Sequence, residues 1–399
     1  MKNEDLAQKI MTEYGERTGL LSAGKTEPRR YLWTDAFAVC NYIALARLHG
    51  QDSPDLAARL VDQVHEVLGR RRPDDPRQGR LSGLEDQEGR QHPTAGGLRI
   101  GKKMPERRLK ESFDESLEWE RDGQYYHYLT KWMHALCCFG SYTNNTQYLH
   151  WAAELAERGH AAFSYGAADG SRRLYWKMSI DLSRPQVSSM GHHDPLDGLI
   201  TCVEITGLCA LLRAPGCRDL ADPTSDLADM CRGVNWATTD PLGLGTLLAD
   251  AWRLAQFLPL TGEPPLPGLL TDMLEAAVRG LSVYARDKAL HLPAAYRLAF
   301  RELGLAIGLQ AIPRIESLAR RNPDIFPGGP GPALLLAEFK QYQPLQEQIL
   351  HFWLNKENRE VPAWTEHADI NMVMLATCLV PDGFLDIQTK TENRVQPEI

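Results

Sequence analysis

Several common marks of function are missing from this sequence. No run of about 18 apolar residues occurs, so no segment reads as a membrane-spanning helix. The opening stretch, "MKNEDLAQKIMTEYGERTG", is polar and amphipathic and has no apolar core of a secretory leader, so it is not read as one. Basic residues are not in excess: the net charge is −8, which argues against a nucleic-acid partner, because phosphate binding needs a basic face. None of the eight cysteines stands in a C-x-x-C pair. There is no H-E-x-x-H or Cys/His run at ligand spacing, so no metal or other cofactor is expected. Most cysteines sit in apolar stretches, and the expectation is buried free thiols in a cytoplasmic protein.

What the sequence has is helical periodicity of two kinds. Residues 54–69, 145–163 and 268–284 each carry one apolar stripe, such as Leu56, Leu60, Val64 and Val67, on an otherwise polar helix. Between them lie stretches apolar on nearly every face: 36–48, 199–212, 244–258, 291–309 and 370–380. Helices of the first kind are wet on one side, and those of the second are buried. Their alternation with short connections predicts stacked αα-hairpins and not α/β winding. The best strand candidate is 171–180, "SRRLYWKMSI".

The dry helices begin with a recurrent chemistry. "YLWTDAF" places Trp33 before Asp35, "LEWERDGQYY" places Trp119 and Glu120 before Asp122, and "NWATTDPLG" places Trp236 before Asp240. "AWTEHADIN" supplies Trp364, Glu366, His367 and Asp369, while "GHHDPLDG" has His192 and His193 before Asp194 and Asp197. The spacings from Asp35 through Asp122 and Asp194 to Asp240 are 87, 72 and 46 residues, so no strict repeat exists. In this hairpin rhythm and these helix starts the chain resembles the six-hairpin, (α/α)6-toroid superfamily of glycoside hydrolases and sugar epimerases. The resemblance implies an all-α (α/α)6 toroid with minor β structure. It also implies that the starts of the inner helices ring a funnel. Residues 1–388 are expected to form one such domain, with the long connection 73–121 over the funnel and 389–399 as a flexible tail. A third toroid type, the lanthionine cyclases, is disfavoured because its zinc-binding Cys and Cys-His motifs are missing.

Each candidate residue has a plain alternative. Asp194 and Asp240 precede proline, the pattern of a capped helix start, and Asp197 stands near a capping-box position. The same carboxylates could face substrate from the rim. Adjacent histidines diverge, so His192 and His193 are read not as metal ligands but either as satisfied polar packing or as sugar contacts or proton-transfer groups. The loop "GGLRIGKK" matches G-x-x-x-x-G-K, but Lys103 stands where a phosphate loop needs Ser or Thr, and no apolar strand precedes it. Arg99 and Lys102 in that loop are candidates for holding a carboxylate or phosphate on the substrate. Trp33, Trp119, Tyr125, Tyr126, Trp176 with its neighbour Lys177, Trp236 and Trp364 are either packing residues or stacking platforms for sugar rings.

The expected function is a carbohydrate-active enzyme, specifically a glycoside hydrolase using paired carboxylates, with a small carbohydrate as its partner. Asp122 and Asp240 are the preferred pair, with Asp194, His192 and His193 as further catalytic candidates. Asp35, Glu120, Asp197, Glu366 and His367 complete the candidate binding set. The alternatives are a sugar isomerase or 2-epimerase using histidines among His192, His193 and His367, or a helical scaffold without catalysis.

Overall fold

The computed structural model describes residues 2–21, 27–50, 54–261, 266–323 and 331–387; the tail expected at 389–399 lies outside them. Chain contacts divide the protein into two compact units, one of residues 15–232 and one of residues 1–14 with 233–386.

α1 (Asn3–Arg17) runs across the first boundary between the units. The 15–232 unit is built from three helical hairpins: α2 (Leu32–Leu48) with α3 (Asp55–Leu68), α6 (Tyr126–Thr143) with α7 (Gln147–Phe163), and α8 (Asp194–Leu211) with α9 (Ala221–Cys231). Two short helices, α4 (Asp86–Gln91) and α5 (Glu115–Glu120), interrupt the long connection before α6. α2 packs on α6 and α6 on α8, so these three are the inner layer. Their composition explains the placement. Every residue of α2 from Leu32 to Ala46 is buried, whereas α3 buries only Ala57, Leu60, Val61, Val64, His65 and Leu68. A helix with no polar face has to be enclosed, and a striped one covers it.

The unit containing 233–386 repeats the scheme. α10 (Pro241–Thr261) pairs with α11 (Leu269–Tyr284), and α12 (Ala299–Leu309) packs on both α10 and α17 (Ala368–Leu379). α13 (Ile312–Arg321), α14 (Gly331–Glu338) and α15 (Gln343–Leu354) lie between α12 and α17 in sequence, and α16 (Pro362–Thr365) and α18 (Asp382–Leu385) flank α17. The dry stretch expected at 291–309 is helical only from Ala299. Before it lie two 3-10 turns, Lys288–His291 and Ala294–Tyr296. Pro293 cannot donate a backbone hydrogen bond and holds Leu292 extended, at φ −71° and ψ 151°, which breaks the helix there.

Strands are few and short. β1 (Gln124–Tyr125), β4 (Lys177–Met178) and β5 (Pro185–Val187) form one antiparallel sheet, and β2 (Ser164–Gly166) pairs with β3 (Arg172–Leu174). The strand candidate at 171–180 thus supplies β3 and β4. One expectation about cysteine is overturned: Cys209 and Cys217 form a disulfide across the turn that follows α8. The other six cysteines are free and buried. Among the described residues no helix is long and apolar enough to cross a membrane.

Candidate active site

A cleft of about 380 Å³ opens in the 15–232 unit, lined by Trp119, Tyr125 and Trp176 among others, with Glu118 at its base. The small sheet builds it: pairing of Tyr125 with Lys177 across β1 and β4 brings the end of α5 and the start of α6 beside Trp176. The indoles of Trp119 and Trp176 meet edge to face at 4.4 Å, and Trp119 remains 44% exposed, leaving an aromatic surface open to a ligand. The Tyr125 ring lies 5.6 Å from Trp176 and is flanked by two ammonium groups, Lys102 at 5.8 Å and Lys177 at 5.6 Å.

The two lysines differ. Lys177 is fully buried and donates to the carbonyls of Glu118 at 2.5 Å and Arg121 at 2.8 Å. Burial draws its pKa down to about 8, against the opposing pull of Glu118. Lys102 is half-buried, and desolvation lowers its pKa while the charge of Glu120 opposes the shift. Glu120 itself is exposed, and its charge is also felt by Tyr31 and Tyr125.

Behind this wall stands His127, the second residue of α6. Its ring stacks on Tyr125 at 5.3 Å and on Trp176 at 6.3 Å. Its Nδ1 is 3.7 Å from Oδ1 of Asp194, at the start of α8. His127 Nδ1 and Asp194 Oδ2 are both buried with no hydrogen-bond partner among the described residues. Buried polar atoms are almost always satisfied, and one that is not by the protein signals strain, a functional role, or a bound water or ion. Desolvation raises the pKa of Asp194 to about 7, the Asp197 charge adding to the rise. It lowers that of His127 to about 4, Asp197 opposing. Between about pH 4 and pH 7 a protonated carboxyl therefore faces a neutral imidazole. Asp197, one turn along α8, is held by Lys131 Nζ at 2.8 Å and Thr130 Oγ1 at 2.5 Å.

The expectation that Asp194 caps α8 through its side chain is overturned. The cap position is His193, which makes no side-chain cap bond, and Asp194 is the first helical residue. Its carboxyl folds back against Gly191, where a Cβ would come within 2.5 Å of it, so a side chain at 191 would push the carboxyl aside. Nor do the adjacent histidines diverge: the rings of His192 and His193 lie 4.8 Å apart.

Other candidates have structural surroundings. Asp122 is fully buried and accepts from Arg99 Nη1 at 2.5 Å, Gly123 N at 3.1 Å and Gly101 N at 3.0 Å. Arg99 spends its remaining donors on the carbonyls of Arg70 and Val67, both at 2.7 Å. Gly101 of "GGLRIGKK" has φ +95°, and a Cβ there would strike the Arg30 carbonyl at 2.2 Å, so this glycine serves a turn. Asp35 accepts from the Tyr31 backbone N–H at 2.8 Å and Arg30 at 3.1 Å, while Trp33 packs on Phe37 and Tyr126 on Phe163.

The remaining candidates belong to the other unit. Asp240 caps α10 through Gly243 N at 2.8 Å and pairs with Arg301. Trp236 and Trp364 are buried, and Glu366 and His367 are exposed. Sequence reasoning therefore located Lys102, Trp119, Glu120, Tyr125, Trp176 and Lys177 around one cleft, with Asp194 and Asp197 nearby. It missed His127, Lys131 and Glu118. His127 and Lys131 are four apart on one helix face, a spacing visible in "HYLTK", but their carboxylate partners come from α8.

No family model matches the chain, and no curated protein matches it. Solved structures do. A GH76 α-mannanase of Bacteroides thetaiotaomicron is similar at a TM-score of 0.56 and 9% identity, over 97% of this chain and 98% of that one. The GH76 α-1,6-mannanase of Salegentibacter sp. HEL1_6 is similar at 0.51 and 13%, over 97% and 100%. An inactive variant of it, in complex with α-1,6-mannotetrose, is similar at 0.52 and 12%, over 97% and 100%. The fold is therefore an all-α (α/α)6 toroid with minor β structure. The inner-helix starts carry Tyr125 and His127 at α6 and Asp194 at α8.

Proposed function

We propose that the protein is a carbohydrate-active enzyme, a glycoside hydrolase whose general acid is Asp194. The observation that carries this reading is a carboxyl held protonated up to about pH 7 and left without a partner on Oδ2, one imidazole away from an aromatic cleft. Glycoside hydrolysis needs such an acid to protonate the leaving oxygen as the glycosidic C–O bond breaks. It also needs an ionised carboxylate to activate water or to attack the anomeric carbon. Glu120, exposed beside Lys102 and Tyr125, is assigned that role. Trp119 and Trp176 supply indole faces for sugar rings, and Lys102 supplies a cation for a carboxylate or phosphate on the substrate. Asp122 and Arg99 are left to hold the loop.

A second reading has its own support. The neutral His127, its Nδ1 unbonded, could remove a proton from the carbon beside a sugar carbonyl while Asp194 protonates the oxygen, as an isomerase or 2-epimerase requires. One experiment separates the two. The protein is incubated in D₂O with α-1,6-mannooligosaccharides, a set of uronic-acid oligosaccharides and free aldoses. New reducing ends lost in Asp194→Asn support the hydrolase. Deuterium entering the aldose carbon skeleton, lost in His127→Gln, supports the isomerase. Full activity in Asp194→Asn, or neither product from any substrate, would overturn the assignment.

A further inference from the structure

The core of the 15–232 unit holds a second constellation, separate from the cleft. Cys40 on α2 meets His134 and Cys138 on α6, and all three are buried. His134 and Cys138 are four residues apart, hence on one face of α6. One ligand atom from each residue lies within 4.8 Å of the other two. Cys138 Sγ is 3.5 Å from His134 Nε2. With Zn–S about 2.3 Å and Zn–N about 2.0–2.1 Å, tetrahedral zinc sets nitrogen and sulfur about 3.6 Å apart. The observed separation matches that of two ligands on one ion.

The far side of the imidazole is prepared as well. His134 Nδ1 lies 2.8 and 3.0 Å from the two carboxylate oxygens of Glu204 on α8. That contact keeps the proton on Nδ1 and turns the Nε2 lone pair toward the sulfurs. A carboxylate behind a ligating histidine is the usual outer arrangement of zinc sites.

We propose that Cys40, His134 and Cys138 bind a zinc ion between α2 and α6, with Glu204 orienting the histidine. Binding releases the two thiol protons, so the thiolates and Zn²⁺ sum to zero charge, which suits a dry interior. The site ties two inner helices together and does not depend on the carbohydrate reading. The three ligands come from two helices, with Cys40 94 residues from His134, so no ligand spacing marks them in sequence.

The test uses the reduced full-length chain. Zinc is removed with chelator, then Zn²⁺ or Co²⁺ is restored and bound metal is measured by elemental analysis. About one equivalent of zinc is expected, a near-ultraviolet thiolate-to-cobalt band with Co²⁺, and a higher melting temperature with either. Cys40→Ser and Cys138→Ser should lose the band, Cys202→Ser should keep it, and Glu204→Gln should weaken metal affinity about 10- to 100-fold. Should the serine variants fail to fold, the cobalt spectrum of the parent decides. No metal uptake by the folded parent, unchanged metal content in folded Cys40→Ser and Cys138→Ser, or a Cys40–Cys138 disulfide in the isolated protein would overturn the proposal.

Discussion

Nδ1 of His127 and Oδ1 of Asp194 stand 3.7 Å apart, too far for a hydrogen bond, and Nδ1 has no other partner among the described residues. Two groups that could satisfy each other are held slightly apart.

Asp194→Asn is therefore expected to reduce turnover by about 10²–10⁴-fold, the usual contribution of a general acid. Because the amide keeps the shape of the carboxyl and its oxygen can still accept from the Gly191 backbone N–H, its melting temperature should not fall. Steady-state kinetics beside calorimetry checks both halves. A destabilised but active variant would contradict the assignment.

The pH dependence of stability should separate the two groups. The Asp194 carboxyl, at about 7 when folded, lies above its unfolded value, so the native state holds the extra proton. Its effect is a loss of stability as pH rises from about 4 toward 7. The His127 imidazole, at about 4 when folded, lies below its unfolded value. It costs stability as pH falls from about 6.5 toward 4. Relative to the parent, Asp194→Asn should gain stability with rising pH across this window, and His127→Gln should gain it with falling pH. Denaturant titrations at several pH values measure the slopes.

Turnover should also fall as pH rises through about 7, where the acid loses its proton. In Asp194→Glu the alkaline limb should move while the reaction persists. A pH–rate profile with no limb near neutrality would argue against Asp194 as the acid.

Arg99 and Lys102 should behave differently despite sharing a loop. Arg99→Met strips the buried Asp122 of its closest partner and should cost about 3–5 kcal/mol, read by urea unfolding. Lys102→Met should leave melting nearly unchanged and raise KM for an acidic sugar but not for its neutral counterpart. Equal effects on the two sugars would remove Lys102 from substrate binding.

Trp119→Ala should weaken sugar binding about 2- to 13-fold, the loss of roughly 0.5–1.5 kcal/mol of ring contact. Its exposure means stability should hardly change. Titration followed by the fluorescence of Trp176, which it abuts, reports the affinity.

Sequence by itself determined the layering. Whether a helix is apolar on every face or on one stripe is a property of its own residues, so α2, α8, α10 and α17 were legible as buried, and α3, α7 and α11 as covering. The aromatic helix starts were legible for the same reason, and Trp119, Tyr125 and Trp176 do share a cleft. What tertiary structure decided was the fate of each carboxylate. Asp122 and Asp194 look alike as acids near the starts of dry helices, yet one sits under arginine and backbone donors while the other has an oxygen with none. That difference depends on the loop carrying Arg99 and on the glycine at 191. Ionisation follows the surroundings of a group, and those surroundings are assembled from residues tens of positions away. The same holds for His127 beside Asp194 and for Cys40 beside His134, pairs that exist only once the inner helices have packed.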